Sequence, residues 1–328
     1  MATRLNPVAE AADILGEPLQ GILPPVEWAA CADEIAAIRA LKRERRAVIL
    51  AHNYMTPDIY FGVADVTGDS LTLARAAQGL DAAVIVMAGV YFMAETVKIL
   101  NPGRTVLVPD REAGCSLSES ITAGDVRELR RRHPGVPVAT YVNTSAEVKA
   151  ESDICCTSSN ARRVVESLGA PRVILIPDRY LAANVARETS VEIVTWPGRC
   201  VVHERFRPEE IRAIRTDHPE AHVLAHPECP PEVVAEADFS GSTAAMSEYV
   251  ARRHPDTVVL LTECSMSDNV AAEHPEVHFV RPCNLCPYMK MNTLATIRRA
   301  LETLRPAVDV PDEVARRARR TVERMLAL

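Results

Sequence analysis

AVILAHNY, residues 47–54, is an apolar, β-branched run that ends in a polar cluster, and the chain repeats it as VPVATYVN (136–143) and AHVLAHPE (221–228). Aligned on His52, Tyr141 and His226, the copies lie 89 and 85 residues apart. A Ser/Thr cluster follows each one: GDSLTLA (68–74), CTSSNARRV (156–164) and GSTAAMSEYV (241–250). Ser70, Ser158 and Thr243 mark them at spacings of 88 and 85. Second apolar runs come at 82–95, 172–185 and 257–270, and third runs at 104–110, 191–197 and 277–282. A cysteine closes each copy, Cys115, Cys200 and Cys286, at separations of 85 and 86. Four features in one order at a common period mark a threefold internal repeat. Each copy reads strand, helix, strand, helix, strand, cysteine, helix. Continuously apolar strands that alternate with helices build parallel sheets covered on both faces. The expected fold is therefore α/β: three pseudo-symmetric, three-layer αβα domains with short parallel sheets around a central active-site cavity. Their boundaries fall at 46–134, 135–219 and 220–305, after an N-terminal helical extension (1–45) and before an Arg-rich C-terminal helix (306–328).

Composition bounds the function. Of 328 residues, 48% are apolar and 25% charged, which suits a globular chain with a large core. The net charge of −7 argues against a nucleic-acid or membrane-surface partner. The uncharged stretch Ala82–Ala94 has 13 residues, fewer than the roughly 20 that a bilayer needs. The first residues lack the apolar core of a secretory signal, so the expected compartment is cytoplasmic. Nine cysteines, an odd number, argue in a reducing compartment against a disulfide framework. They leave buried thiols, a metal site or a nucleophile.

Ligands of open α/β sheets bind at the carboxyl ends of the strands. Three domains around one axis would aim their strand ends, and with them Cys115, Cys200 and Cys286, at a common cavity. Three soft thiolates suit an iron–sulfur cluster, and three ligands rather than four leave one iron open as a Lewis acid. Cys283, three residues before Cys286, offers a rival CxxC pair; Cys155, Cys156, Cys229 and Cys264 read as core or spare thiols, and Cys31 as structural. His52 and His226 occupy equivalent strand ends, and His203 sits three residues past Cys200 on the start of one helix. Ser70, Ser158, Ser242 and Thr243 read as helix caps facing the cavity, where helix N-termini favour an anionic substrate bearing carboxylates or phosphate.

The motifs LAHNY, TGDSLTLA, FMAETVKILNP (92–102), DREAGCSLSES (110–120), TYVNTSAEVKAESDICCTSSN (140–160), GRCVVHE (198–204), AHPEC (225–229), FSGST (239–243) and CPYMKMNTL (286–294) together resemble the quinolinate synthase family. The resemblance covers about residues 46–300. It implies a [4Fe-4S] cluster with one cysteine from each domain, here Cys115, Cys200 and Cys286. It implies condensation of iminosuccinate with dihydroxyacetone phosphate to quinolinate, with loss of phosphate and water, in de novo NAD biosynthesis. An aspartate oxidase would supply the imine. Carried over by motif, His52, Ser70, Tyr141, Asn143, Ser158, His203, His226, Glu228, Ser242 and Thr243 bind substrate. Glu228 is the candidate general base, aided by His226, with Tyr54 and Tyr141 as proton relays. Some members carry extra cysteines near Cys283, for which a regulatory disulfide has been suggested. Rival readings are an iron–sulfur electron carrier or redox sensor, a zinc-dependent aldolase or deaminase, and a cluster-free dicarboxylate-binding protein.

Overall fold

The first copy of the repeat folds into a parallel sheet of β1 (Ala47–His52), β2 (Val66–Gly68), β3 (Val84–Ala88) and β4 (Thr105–Leu107), in the order β2-β1-β3-β4. The second copy gives β5 (Val138–Tyr141), β6 (Ile154–Cys156), β7 (Arg172–Ile176) and β8 (Glu192–Thr195), ordered β6-β5-β7-β8. The third gives β9 (His222–Ala225), β10 (Phe239–Ser240), β11 (Thr257–Leu261) and β12 (His278–Val280), ordered β10-β9-β11-β12. This computed structural model describes residues 25–328. Among them, three all-parallel, four-stranded sheets flanked by helices form the α/β fold that the repeat implies. β3 and β11 are buried along their whole length, as strands covered on both faces must be.

Each sheet holds one strand more than the sequence pattern predicts. The additional strands β2, β6 and β10 have only three, three and two residues, too few to show a period. Such a short neighbour leaves the central strand with an unpaired N–H, and one aspartate fills the gap in every sheet. The Ile49, Val138 and Val223 amides donate to Oδ2 of Asp65, Asp153 and Asp238 at 2.7, 2.7 and 2.8 Å. The amides of those aspartates donate back to the carbonyls of the same three residues at 2.9, 2.9 and 2.8 Å. A cation then pairs with each carboxylate: Lys42 with Asp65 at 2.7 Å, Arg130 with Asp153 at 2.8 Å and Arg215 with Asp238 at 3.0 Å.

Of the expected N-terminal extension, Pro25–Arg45 is a helix and residues 1–24 lie outside the described residues. At the other end, the helix Asp312–Leu326 buries Ala318, Thr321, Val322 and Met325 against the helix Ala146–Ala150 and β6. Thr321 Oγ1 donates to the Lys149 carbonyl at 3.1 Å, and Lys149, fully buried, donates its ammonium to the Thr144 carbonyl. The described chain divides into two compact units. The first comprises the part up to Ala113 with 264–275 and 285–309; the second comprises 114–263, 276–284 and 310–328. The first sheet lies in the former unit, and the second and third sheets in the latter. No helix among the described residues is long and apolar enough to cross a membrane.

Candidate active site

In the second unit, the turns that carry Cys115 and Cys200 are bonded to each other. Ser116 Oγ donates to the Arg199 carbonyl at 3.1 Å and accepts from the Val201 amide at 3.2 Å, so it grips both neighbours of Cys200. Trp196 Nε1 donates to the Ser120 carbonyl at 2.8 Å. Gly198 allows the approach, because a Cβ there would come within 2.6 Å of the Pro177 carbonyl oxygen and closer still to Ser120 Oγ. The same backbone turn follows each of the three cysteines. The Cys115, Cys200 and Cys286 carbonyls accept from the amides of Glu119, Glu204 and Lys290 at 2.9, 3.0 and 3.2 Å. None of the three is disulfide-bonded, and all three are partly buried. Burial pushes the Cys200 thiol well above its ordinary range, and the charges of Glu228 and Cys115 add to the effect.

Beside Cys200 lies a buried polar group. His203, in a short 3-10 turn, holds Thr262 Oγ1 through Nε2 at 2.9 Å. Its Nδ1 faces Glu228 Oε2 at 2.8 Å and Cys200 Sγ at 3.2 Å. Tyr141, the last residue of β5, donates its hydroxyl to Glu228 Oε1 at 2.6 Å. His226 stacks on His203 with ring centroids 4.5 Å apart. Burial by itself would raise the Glu228 carboxyl. The two histidines and the hydrogen bonds from His203 and Tyr141 override it and hold the group well below the usual carboxylate range. Asp178 shifts the opposite way: burial first, then the Glu228 charge, raises it well above its usual 3.8. Its Oδ1 caps the helix Arg179–Ala186 by accepting from the Tyr180 and Leu181 amides at 2.7 and 2.9 Å, while its buried Oδ2 has no hydrogen-bond partner among the described residues.

In the first unit, His52 ends β1 and Tyr54 lies just beyond it, with their rings edge to face at 4.6 Å. Lys290, whose amide bonds the Cys286 carbonyl, donates Nζ to the Tyr54 carbonyl at 3.0 Å and so ties the Cys286 turn to that loop. His52 and His226 make equivalent turns. Nδ1 of each accepts the amide two residues on, from Tyr54 at 3.2 Å and from Glu228 at 3.3 Å. A neutral ring in either place thus carries its proton on Nε2, which leaves a donor.

Several expectations need adjusting. His226 is not the end of its strand, since β9 ends at Ala225 and both His226 and Glu228 lie in the turn beyond it. They still meet, because that turn is buried against His203. Ser70 is the first helical residue and Asp69 is the cap, accepting from Thr72; a carboxylate competes well for that place. Ser158 precedes the cap Asn160 by two residues, in a turn closed by Asn160 Oδ1 on the Thr157 amide at 2.7 Å. Ser242 does cap its helix, donated to by Ala245, with Thr243 as the first helical residue. Asn143 follows the end of β5 and is partly buried. Cys264 is not a spare thiol, since it is disulfide-bonded. Cys286 is not disulfide-bonded, so the CxxC pair is not joined. Cys155, Cys156 and Cys229 are core thiols as expected, and burial pushes Cys155 up to about 12. The sequence reading missed Asp178, Thr262, Asn184, Asn269 and Lys290; the 85-residue spacing of Asn184 and Asn269 was the available signal.

Comparison with known proteins identifies the family. Residues 36–327 match the family described as "Quinolinate synthetase A protein". The chain is 64% identical over 324 residues to "Quinolinate synthase 2" of Mesorhizobium japonicum, covering 99% of this chain and all of that protein. It is 64% identical to "Quinolinate synthase" of Agrobacterium fabrum, covering 94% of this chain and 89% of that one. It is likewise 64% identical to the Xylella fastidiosa (strain Temecula1) protein of that name, over 90% of this chain and 87% of the other. With a family match and near-full-length identity of this size, the chain belongs to the quinolinate synthetase A protein family.

Proposed function

We propose that this enzyme condenses iminosuccinate with dihydroxyacetone phosphate to quinolinate, releasing phosphate and water, as a step of de novo NAD biosynthesis. The observation that carries the reading is the buried group Cys200–His203–Glu228–Tyr141, set beside a Cys115 turn that is bonded to the Cys200 turn. Thiols outside any disulfide, in repeat-equivalent turns, suit a soft, sulfur-loving metal group. A thiol raised by burial and by neighbouring negative charge calls for a cationic partner. We assign a [4Fe-4S] cluster to Cys115, Cys200 and Cys286, one from each of the repeats 46–134, 135–219 and 220–305. When bound, the cluster supplies an open iron as Lewis acid.

The protein's own residues do the rest. Both Glu228 oxygens are occupied, by Tyr141 and His203, so protons reach this carboxylate along those two bonds. Glu228 is the base of the site, Tyr141 the group that passes it a proton, and Tyr54 a second relay. His52 and His226 offer their Nε2 protons to substrate carboxylates. Ser70, Asn143, Ser158, Ser242 and Thr243, at strand ends and helix starts, bind the remaining carboxylate and the phosphate, whose departure the helix dipoles favour. An aspartate oxidase supplies the unstable imine, and the compartment is the cytoplasm.

Anaerobically purified protein is expected to be brown, with about four irons per chain. Cys286→Ser is expected to lose the cluster, whereas Cys283→Ser retains it. With aspartate oxidase, aspartate and dihydroxyacetone phosphate, the enzyme should form pyridine-2,3-dicarboxylate. The ligand atoms of Cys200, His203 and Glu228 lie within 4.8 Å of one another, a set that would also take a single divalent cation. Colourless, active protein with stoichiometric zinc would therefore overturn the cluster assignment.

A further inference from the structure

The loops that present Tyr54 and Glu228 are built alike and held alike. In both, His Nδ1 accepts the amide two residues on, and the His carbonyl accepts the amide three residues on, from Met55 and Cys229 at 2.9 Å each. In both, one asparagine from a helix of another repeat straddles the loop. Asn184 Nδ2 donates to the carbonyls of Pro227 and Cys229 at 2.9 and 3.0 Å. Asn269 Nδ2 donates to the carbonyls of Asn53 and Met55 at 3.1 and 2.8 Å. The two asparagines sit 85 residues apart, at matching places in the helices Arg179–Ala186 and Cys264–Glu273, so they are repeat equivalents. The carbonyls that each one grips are those just before and just after the functional residue, Glu228 in one loop and Tyr54 in the other. Each Oδ1 is buried without a hydrogen-bond partner among the described residues. A buried amide that leaves its acceptor unused pays a desolvation cost, so both side chains are set as donors to these loops.

The geometry points to Asn184 and Asn269 as paired positioning residues, which fix Glu228 and Tyr54 in reactive orientation by clamping the main chain on either side. This rests on the roles proposed above for Glu228 and Tyr54. The clamp touches only backbone, so it sets where the side chain projects and leaves its chemistry alone. Removing it frees two carbonyls and lets the loop shift.

Double-mutant cycles test the inference. Asn184→Ala and Asn269→Ala are each expected to lower kcat by about tenfold to a hundredfold, as small misplacements of reacting groups do, with a smaller change in KM. In a Glu228→Gln enzyme, adding Asn184→Ala should cost less than about twofold, and Asn269→Ala should behave alike in a Tyr54→Phe enzyme. The crossed pairs, Asn184→Ala with Tyr54→Phe and Asn269→Ala with Glu228→Gln, should show the full loss. An equal loss in matched and crossed backgrounds, or no loss in the single variants, overturns the inference while the roles of Glu228 and Tyr54 stand. Full activity of Glu228→Gln or Tyr54→Phe alone overturns the role of that residue and its clamp together. Asn184→Asp and Asn269→Asp keep the volume and lose both amide N–H groups, and they carry the same cycles if the alanine variants fail to fold.

Discussion

Two buried carboxyls, Asp178 and Glu228, sit in one field and titrate in opposite directions. For Asp178 the folded value is raised above 3.8, so its favourable contribution is complete below that pH and is lost as pH rises toward the folded value. Asp178→Asn keeps an acceptor for the Tyr180 and Leu181 amides and removes the ionisable group. Thermal unfolding should show the variant gaining on the native protein as pH rises from about 4. For Glu228 the sign reverses: its contribution is present above 4.5 and disappears as the solution is acidified through its lowered folded value. Glu228→Gln should therefore cost most stability near neutrality and least in acid. Glu228 was legible in the sequence because it punctuates a repeated strand end. Asp178 was not, since an aspartate before a helix reads as a cap, and its second role comes only from what burial places beside it.

At the scale of the element, the short outer strands explain why three aspartates matter. β2, β6 and β10 are too brief to pair the full length of the central strand, and a carboxylate completes the ladder. Asp153→Ala leaves the buried Val138 amide without an acceptor and should cost about 1–3 kcal/mol in urea unfolding, with Asp238→Ala similar at Val223. Arg130→Ala, at a partly exposed ion pair, should cost less than about 1 kcal/mol. The period near 86 and the long strands were readable because burial on both faces forces runs such as VILA and VILI. The outer strands were not, because two or three residues carry no periodicity. Yet VAD, ESD and EAD, ending at 65, 153 and 238, recur at the same spacing and signal the device once its purpose is known.

Across the whole chain, distant segments complete each unit. The C-terminal helix covers the helix Ala146–Ala150 and β6, and it puts Thr321 on the Lys149 carbonyl. A chain ending at Asp309 would bare the buried Lys149 and its surroundings. It should unfold at lower temperature than the full chain, with limited proteolysis cutting first between 146 and 156. That there are three parallel sheets was legible from the repeat. The composition of the two units was not, because 264–275 and 285–309 join a part of the chain that lies more than 150 residues earlier. Sequence order shows which elements exist, and packing decides which of them belong together.

The clamp on each loop grips peptide oxygens and is blind to the side chain it frames. One frame holds a tyrosine and the other a glutamate, and the bonding pattern does not change. Such a socket accepts different inserts. Position 54 is therefore a place where inactive, folded variants can be made, suited to trapping the reactants in crystals and to grafting a new reactive group into an old scaffold.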